Sequence, residues 1–143
     1  MTDDEYVSIM KEVMQKHPFL NVNGTLPYEP HKCGEETTQN DRSDLLSIYH
    51  KPAFLACLVF FQEVTQTIKK RHPKAPNSYN LKHRIEEACP EISDIFEGIF
   101  IAAGYHLNFR YSRANTSQRN FWIEKNSYND FIARNGLNSR HYM

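Results

Sequence analysis

The chain has 143 residues and a mass of 16.8 kDa, with 40% hydrophobic and 13% aromatic residues, enough for one globular core and too little for two. Its 17 basic and 17 acidic side chains cancel, which excludes a uniformly basic or acidic chain. The charge is nevertheless laid down in blocks: residues 1–65 carry a net −5, residues 66–84 +6, residues 85–98 −5 and the remainder +4, local fields that a pI of 7.1 conceals.

The opening segment, MTDDEYVSIM, places acids where a signal peptide needs basic residues, and no apolar stretch follows; the expected compartment is the cytoplasm of a bacterial host cell. From Asp3 to His17, Val7, Met10, Val13 and Met14 recur at helical spacing until Pro18 stops them. Residues 18–42 mix Pro18, Pro27, Pro30, Gly24 and Gly34 with polar residues and read as one long irregular loop. Ser43 or Asp44 is placed to cap a short helix through Tyr49, which Pro52 ends or kinks. The principal core helix is expected from Ala53 to about Arg71. Its apolar run Ala53–Phe61 is about half the roughly 20 residues of a membrane span, so no membrane is expected. Its end carries Lys69, Lys70 and Arg71, where cations oppose the negative end of the helix dipole, and Pro73 and Pro76 mark the exit.

Ser78 then caps a helix with Leu81, Ile85 and Ala88 or Cys89 on one stripe, closed by Pro90. Ile92, Ile95, Phe96, Ile99, Phe100, Ala103 and Leu107 follow at spacings of three and four, with Ser93 as N-cap and Asn108 in the left-handed stop position. Phe109, Tyr111, Phe121 and Ile123 alternate with Arg110, Ser112, Trp122 and Glu124, predicting two half-buried strands about a polar tip at 113–119. A last short helix spans Ser127–Asn135, with Gly136 as its stop. The fold class that results is mainly helical α+β, one domain. Its C-terminal half, 78–124, is winged-helix-like, a helix-turn-helix plus a β-hairpin packed on the central apolar helix.

Three fragments, Ser78-Tyr79-Asn80-Leu81-Lys82-His83, Gly98-Ile99-Phe100-Ile101-Ala102-Ala103 and the corner Leu107-Asn108-Phe109-Arg110, together resemble a recurring pattern. It occurs in small uncharacterised proteins of phages, plasmids and integrated elements, with an S-Y-x-L-K-H opening, an N-G-x-F-I-x-A-A helix start and a G-[FY]-R corner. The match covers roughly a third of the chain. Glu97 stands where the pattern favours Asn, and Asn108 where it favours Gly. The resemblance implies a mobile-element origin and no mechanism.

Three functions follow as expectations. The first is nucleic-acid binding: Arg110, Arg113, Gln118 and Arg119 on the wing, Trp122 beside it, and Lys69, Lys70, Arg71, Lys82 and Arg84 as an extended basic footprint. Glu91, Asp94 and Glu97 at the start of the groove-reading helix oppose it, because they repel phosphate. The second is a protein-binding inhibitor of a host defence complex, of the anti-CRISPR type, whose acidic face Glu86, Glu87, Glu91, Asp94 and Glu97 would occupy a basic channel. An enzyme is the third class, but no nucleophile–base pair, phosphate loop or paired-carboxylate signature is present, so no catalysis and no cofactor are expected. His31 and Cys33 offer two of the four ligands of a structural zinc site, with no second cluster. With an odd cysteine count, Cys57 and Cys89 read as small core residues in a reducing environment, and His83 and His106 as solvated or structural. Tyr79, Tyr105, Tyr111, Phe121 and Trp122 gather around the hairpin, and strand alternation turns Phe121 and Trp122 to opposite faces. The residues of the N-terminal loop are expected to pack over Trp122.

Overall fold

A capping box opens α1 (Asp3–Lys16): the Thr2 hydroxyl accepts from the Glu5 N–H at 3.1 Å, and the Glu5 carboxylate accepts from the Thr2 N–H at 3.2 Å. The computed structural model describes residues 1–25, 35–68, 75–92, 94–113 and 118–137. Within them α1 is followed by α2 (Glu35–Ser43), 3₁₀ turns at Asp44–Leu46 and Ile48–His50, and α3 (Lys51–Glu63). Next come α4 (Ser78–Ala88), α5 (Glu97–His106), the strands β1 (Tyr111–Arg113) and β2 (Arg119–Phe121), and α6 (Lys125–Arg134). The protein is thus α+β and mainly helical, with one two-stranded antiparallel sheet in the register Tyr111↔Phe121, Ser112↔Asn120, Arg113↔Arg119.

The centre of the molecule is α5. Every residue from Glu97 to Tyr105 is buried, because the segment GIFIAAG is apolar all round and its two glycines let neighbours approach. α1, α3 and α4 pack around it, and the hairpin meets it through Tyr111 and Phe121, whose rings touch those of Tyr105 and Phe100. The aromatic core forms where they meet: Phe61 lies 4.9 Å from Phe100, 4.8 Å from Phe109 and 5.3 Å from Phe121, centroid to centroid. Gly104 sits under this cluster, where an added Cβ would fall 2.4 Å from Phe121 Cζ.

Several sequence expectations are corrected. The loop expected over 18–42 is interrupted by structure: Asn21 and Gly24 pair across a tight turn, and residues 35–43 form α2. Arg42 explains the anchoring, since its guanidinium donates to the carbonyls of Met14, His17 and Leu20 and satisfies the open C-terminal end of α1. The short helix expected from Ser43 through Tyr49 is two 3₁₀ turns. Pro52 begins α3 rather than ending a helix, as its fixed φ and missing N–H suit a first turn. α3 stops at Glu63, short of the expected Arg71, because Val64 turns extended and residues 65–67 pair with the hairpin's exit: Glu124 N–H donates to the Thr65 carbonyl at 2.7 Å and Thr67 N–H to that of Trp122 at 3.0 Å. Lys69, Lys70 and Arg71 lie outside the described residues, as do Ser93, His31 and Cys33.

Asn77, not Ser78, caps α4, accepting from the Asn80 N–H at 2.9 Å. α5 begins at Glu97 rather than near Ile92, so eight residues, 89–96, connect the two helices where a tight turn was expected. α6 begins at Lys125, two residues earlier than the sequence suggests, and is capped by Glu124, which accepts from the N–H groups of Asn126 and Ser127. Asn108 has φ 59° and Gly136 φ 64°, and these two left-handed stops are where the residue types place them. Among the described residues no single helix is long and apolar enough to cross a membrane.

Candidate functional site

The start of α5 is where sequence and packing place unusual chemistry. Glu97 occupies the first helical position, where a carboxylate meets the positive end of the helix dipole, yet its residue is only 8% exposed. One of its oxygens, Oε1, accepts a short hydrogen bond from the Ser78 hydroxyl; the other, Oε2, is buried with no hydrogen-bond partner. Burial raises its pKa, opposed by the Ser78 hydrogen bond and the Lys82 ammonium.

This carboxyl lines a cleft of about 550 Å³, within the range of ligand pockets. Asn23, Tyr79, Lys82, Asp94, Ile95, Phe96 and Gln118 complete its walls. They come from three directions: the Asn21–Gly24 turn, the first two turns of α4 with the connector before α5, and the entry to β2. The turn is fixed against the helix by the Gly98 N–H, which donates to the Val22 carbonyl at 3.0 Å. A Cβ on Gly98 would stand 1.8 Å from the Asn21 carbonyl oxygen, so only glycine allows this approach. Tyr79 is 47% and Phe96 39% exposed, an unusual exposure for two large aromatic rings on one cleft. The Lys82 ammonium is already engaged, 3.8 Å from Glu86 Oε1 and 5.2 Å from the centre of the Tyr79 ring.

Behind the cleft a buried cation, Arg119, closes the network. Arg119 is 7% exposed; its Nε donates to Tyr105 Oη at 2.9 Å, Nη2 to Thr25 Oγ1 at 3.4 Å and Nη1 to the Gln118 carbonyl at 3.1 Å, and its guanidinium lies 5.6 Å from the Tyr111 ring centre. Its backbone N–H donates to Ser78 Oγ at 2.9 Å, so Ser78 links the hairpin to Glu97. Tyr105 also stacks on His17 at 3.7 Å, and burial pushes its hydroxyl up to about 12.

Among the described residues, the basic side chains singled out from sequence are therefore not gathered into one surface. Arg119 points inward, which corrects its expected place on an exposed wing: a guanidinium with neutral partners on three sides is a structural tie. Arg84 is buried too and paired with Glu87 at 3.1 Å. Lys82 is committed to Glu86 and Tyr79, and Gln118 is half-buried on the cleft wall. Arg110 is exposed; its backbone N–H donates to the Gln66 side chain. Arg113 pairs through its backbone with Arg119, and its side chain lies outside the described residues. Trp122 is half-buried, held by its indole N–H to Ser112 Oγ at 2.7 Å, while Phe121 is buried, in keeping with the expected alternation. Of the loop 18–42 expected to cover Trp122, residues 26–34 lie outside the description. The buried α5 also cannot enter a DNA groove, which corrects its reading as a recognition helix.

The acidic set divides differently. Glu86 is paired with His83 at 2.9 Å and Glu87 with Arg84, whereas Glu91 and Asp94 are exposed and Glu97 faces the cleft. Sequence reasoning named Glu97 but missed its environment; the signal was Ser78, one residue past the true cap and thus free to turn inward. The sequence groups Tyr79 with the hairpin aromatics, whereas its ring neighbour is His83, at 4.5 Å. Phe96 and Asn23 were missed as site residues altogether. A second cleft of about 420 Å³ is mostly apolar, with Leu55, Val59, Ile85, Ile92 and Phe131 among its walls, and Glu63, Glu91 and Asn135 also line it. Cys57 is buried, and burial pushes its thiol far above the ordinary range, so it is an inert core residue; Cys89 is half-buried and shifted the same way. Among the described residues no cluster of His, Cys, Asp and Glu has the arrangement of a metal site.

Compared with protein families, with curated proteins and with solved structures, the chain matches none.

Proposed function

We propose that the protein is a non-enzymatic binding protein of a phage or other mobile element, acting in a bacterial host cell on a protein or nucleoprotein complex of that host. The interaction is through the cleft at the start of α5 and its acidic rim. One observation carries this reading: a carboxyl group is held out of water with one oxygen unpartnered, at the wall of a cleft edged by two exposed aromatic rings. Exposed aromatics around a desolvated polar centre are what protein recognition sites use as anchors. Asp94 on the rim extends the negative field outward and exposed Glu91 adds to the acidic block 85–98, which suits a basic partner such as the nucleic-acid channel of a defence nuclease, an inhibition of the anti-CRISPR type.

Nucleic-acid binding is the second reading. Exposed Arg110 and the basic residues 69–71 favour it, as does the order helix, helix, hairpin, the chain order of a winged helix. It has less support because Arg84 and Arg119 are spent internally and α5 is inaccessible.

The test is a pair of measurements on the full chain. Affinity capture from a bacterial lysate should retain a protein that is lost at high salt and lost with the double charge reversal Glu91→Lys/Asp94→Lys. Anisotropy titrations with duplex DNA at low salt should show no binding. Tight DNA binding that falls steeply with salt, and falls again in Arg110→Ala, would overturn the proposal in favour of the second reading.

A further inference from the structure

We infer that the α5 cleft is a seat for a planar guanidinium group, an arginine side chain of the protein partner, laid against Tyr79 and Phe96 with its N–H edge on Glu97 and Asp94. The inference rests on the protein-binding reading and adds the chemistry that the cleft selects.

Three features of the cleft converge on that group. Glu97 Oε2 is a buried acceptor without a donor, and a buried acceptor left unmet costs about 1–3 kcal/mol. A ligand that brings N–H groups recovers that cost, whereas a ligand rich in acceptors adds to it. Tyr79 and Phe96 supply flat faces at the cleft edge, and a guanidinium stacks on such faces while keeping its in-plane donors for carboxylates. An ammonium, compact and strongly hydrated, uses one or the other less well. Asp94 is exposed on the rim, so the cleft presents one desolvated and one solvated carboxylate, at two different depths.

Two charges argue the other way and are outweighed. The positive end of α5 disfavours a cation, but Glu97 at its first position is the group that this end stabilises in the ionised form, and the N–H groups of Gly98, Ile99 and Phe100 are already bound to the carbonyls of Val22 and Phe96. The Lys82 ammonium lines the cleft, yet it is drawn to Glu86 and to the Tyr79 ring, and Glu97 Oε2 keeps no hydrogen-bond partner. Guanine carries a similar pair of adjacent donors on a flat ring. Its attached phosphates would meet Asp94 on the rim, so electrostatics favours the cation over the polyanion.

The experiment is a titration of the full chain by calorimetry and NMR with short Gly/Ser peptides bearing two arginines, their lysine counterparts, and guanine-rich single-stranded DNA and RNA of matched length. The arginine peptide should bind roughly ten-fold or more tightly than the lysine peptide. Glu97→Gln, which keeps shape and removes charge, should weaken it roughly ten- to hundred-fold, the worth of one charged hydrogen bond. Tyr79→Ala, on an exposed side chain, should weaken it by a smaller factor with the fold intact. Equal binding of lysine and arginine peptides, no binding of either, or a preference for the oligonucleotide would each overturn the inference. If those results come with lysate capture that Glu91→Lys/Asp94→Lys still abolishes, the guanidinium seat fails while the protein-binding reading stands. If capture fails as well and the oligonucleotide binds, both fall.

Discussion

Replacing Arg119 by alanine distinguishes a structural tie from a DNA-contacting wing. The side chain makes one well-formed bond to Tyr105 Oη at 2.9 Å, a longer one to Thr25 Oγ1 at 3.4 Å, a third to the Gln118 carbonyl at 3.1 Å and a ring contact with Tyr111. A bond from a charged donor contributes about 1.5–3 kcal/mol. Losing the bonds while also losing the cost of burying the charge leaves a net destabilisation of about 3 kcal/mol, at ~2–4 °C of Tm per kcal/mol for a chain this long. The expected outcome is thus a fall of roughly 6–12 °C in thermal unfolding, with Arg119→Lys intermediate because a lysine cannot reach all three acceptors. Arg110→Ala is the control: its side chain is exposed and should change stability by no more than ~0.5 kcal/mol. An Arg119→Ala protein that unfolds within that same margin of the parent would refute the buried tie.

Gly98→Ala should be among the most damaging single-atom additions, since the new Cβ would meet the Asn21 carbonyl oxygen at 1.8 Å and relief requires moving backbone. The expected cost is at or above the ~1–3 kcal/mol of ordinary overpacking, read by chemical denaturation; a neutral result would contradict the close approach of turn and helix. Glu97 has a raised pKa, so its contribution to stability is fully present below the ordinary value of 4.5 and is lost as pH rises through the higher folded value. Glu97→Gln should therefore gain stability relative to the parent between pH 4 and 8, and a gap that stays constant or shrinks with pH would show that the carboxyl is not desolvated. Ser78→Ala removes both the donor to Glu97 and the acceptor of the Arg119 N–H, and is expected to destabilise by about 1–3 kcal/mol. The same variant should push the Glu97 carboxyl further up in a carbon-detected NMR titration, and an unmoved titration would deny the coupling.

What the sequence revealed depended on whether a signal was local. Pro18, Asn108 and Gly136 act through their own backbone, and helix ends fell where they predict. The apolar spacing located the helices but could not give their ends: Ile92 and Ile95 continue the helical period of α5 by coincidence, their side chains meeting the core from an irregular connector. α2 escaped notice because EETTQNDRS has no apolar stripe; its anchor is Arg42, whose acceptors are 22 to 28 residues away. The same non-locality hid the cleft, where Asn23, Tyr79, Phe96, Glu97 and Gln118 are brought together by tertiary packing alone.

The mistaken role for α5 has an instructive cause. A helix-turn-helix reading requires the second helix to be amphipathic, with a polar face for the groove. The polar residues assigned to that face were Glu91, Asp94 and Glu97, and two of them precede the helix. Once the helix starts at Glu97, what remains is Gly98 to Tyr105 with no charged side chain, a composition fit only for burial. Burying the helix then forces Glu97 inward with it, because the first position lies over the Asn21–Gly24 turn that Gly98 admits. A carboxyl in that position is an expense for folding that glutamine would lessen. In the proposed seat for a guanidinium, a partner's N–H groups would offset that cost on binding.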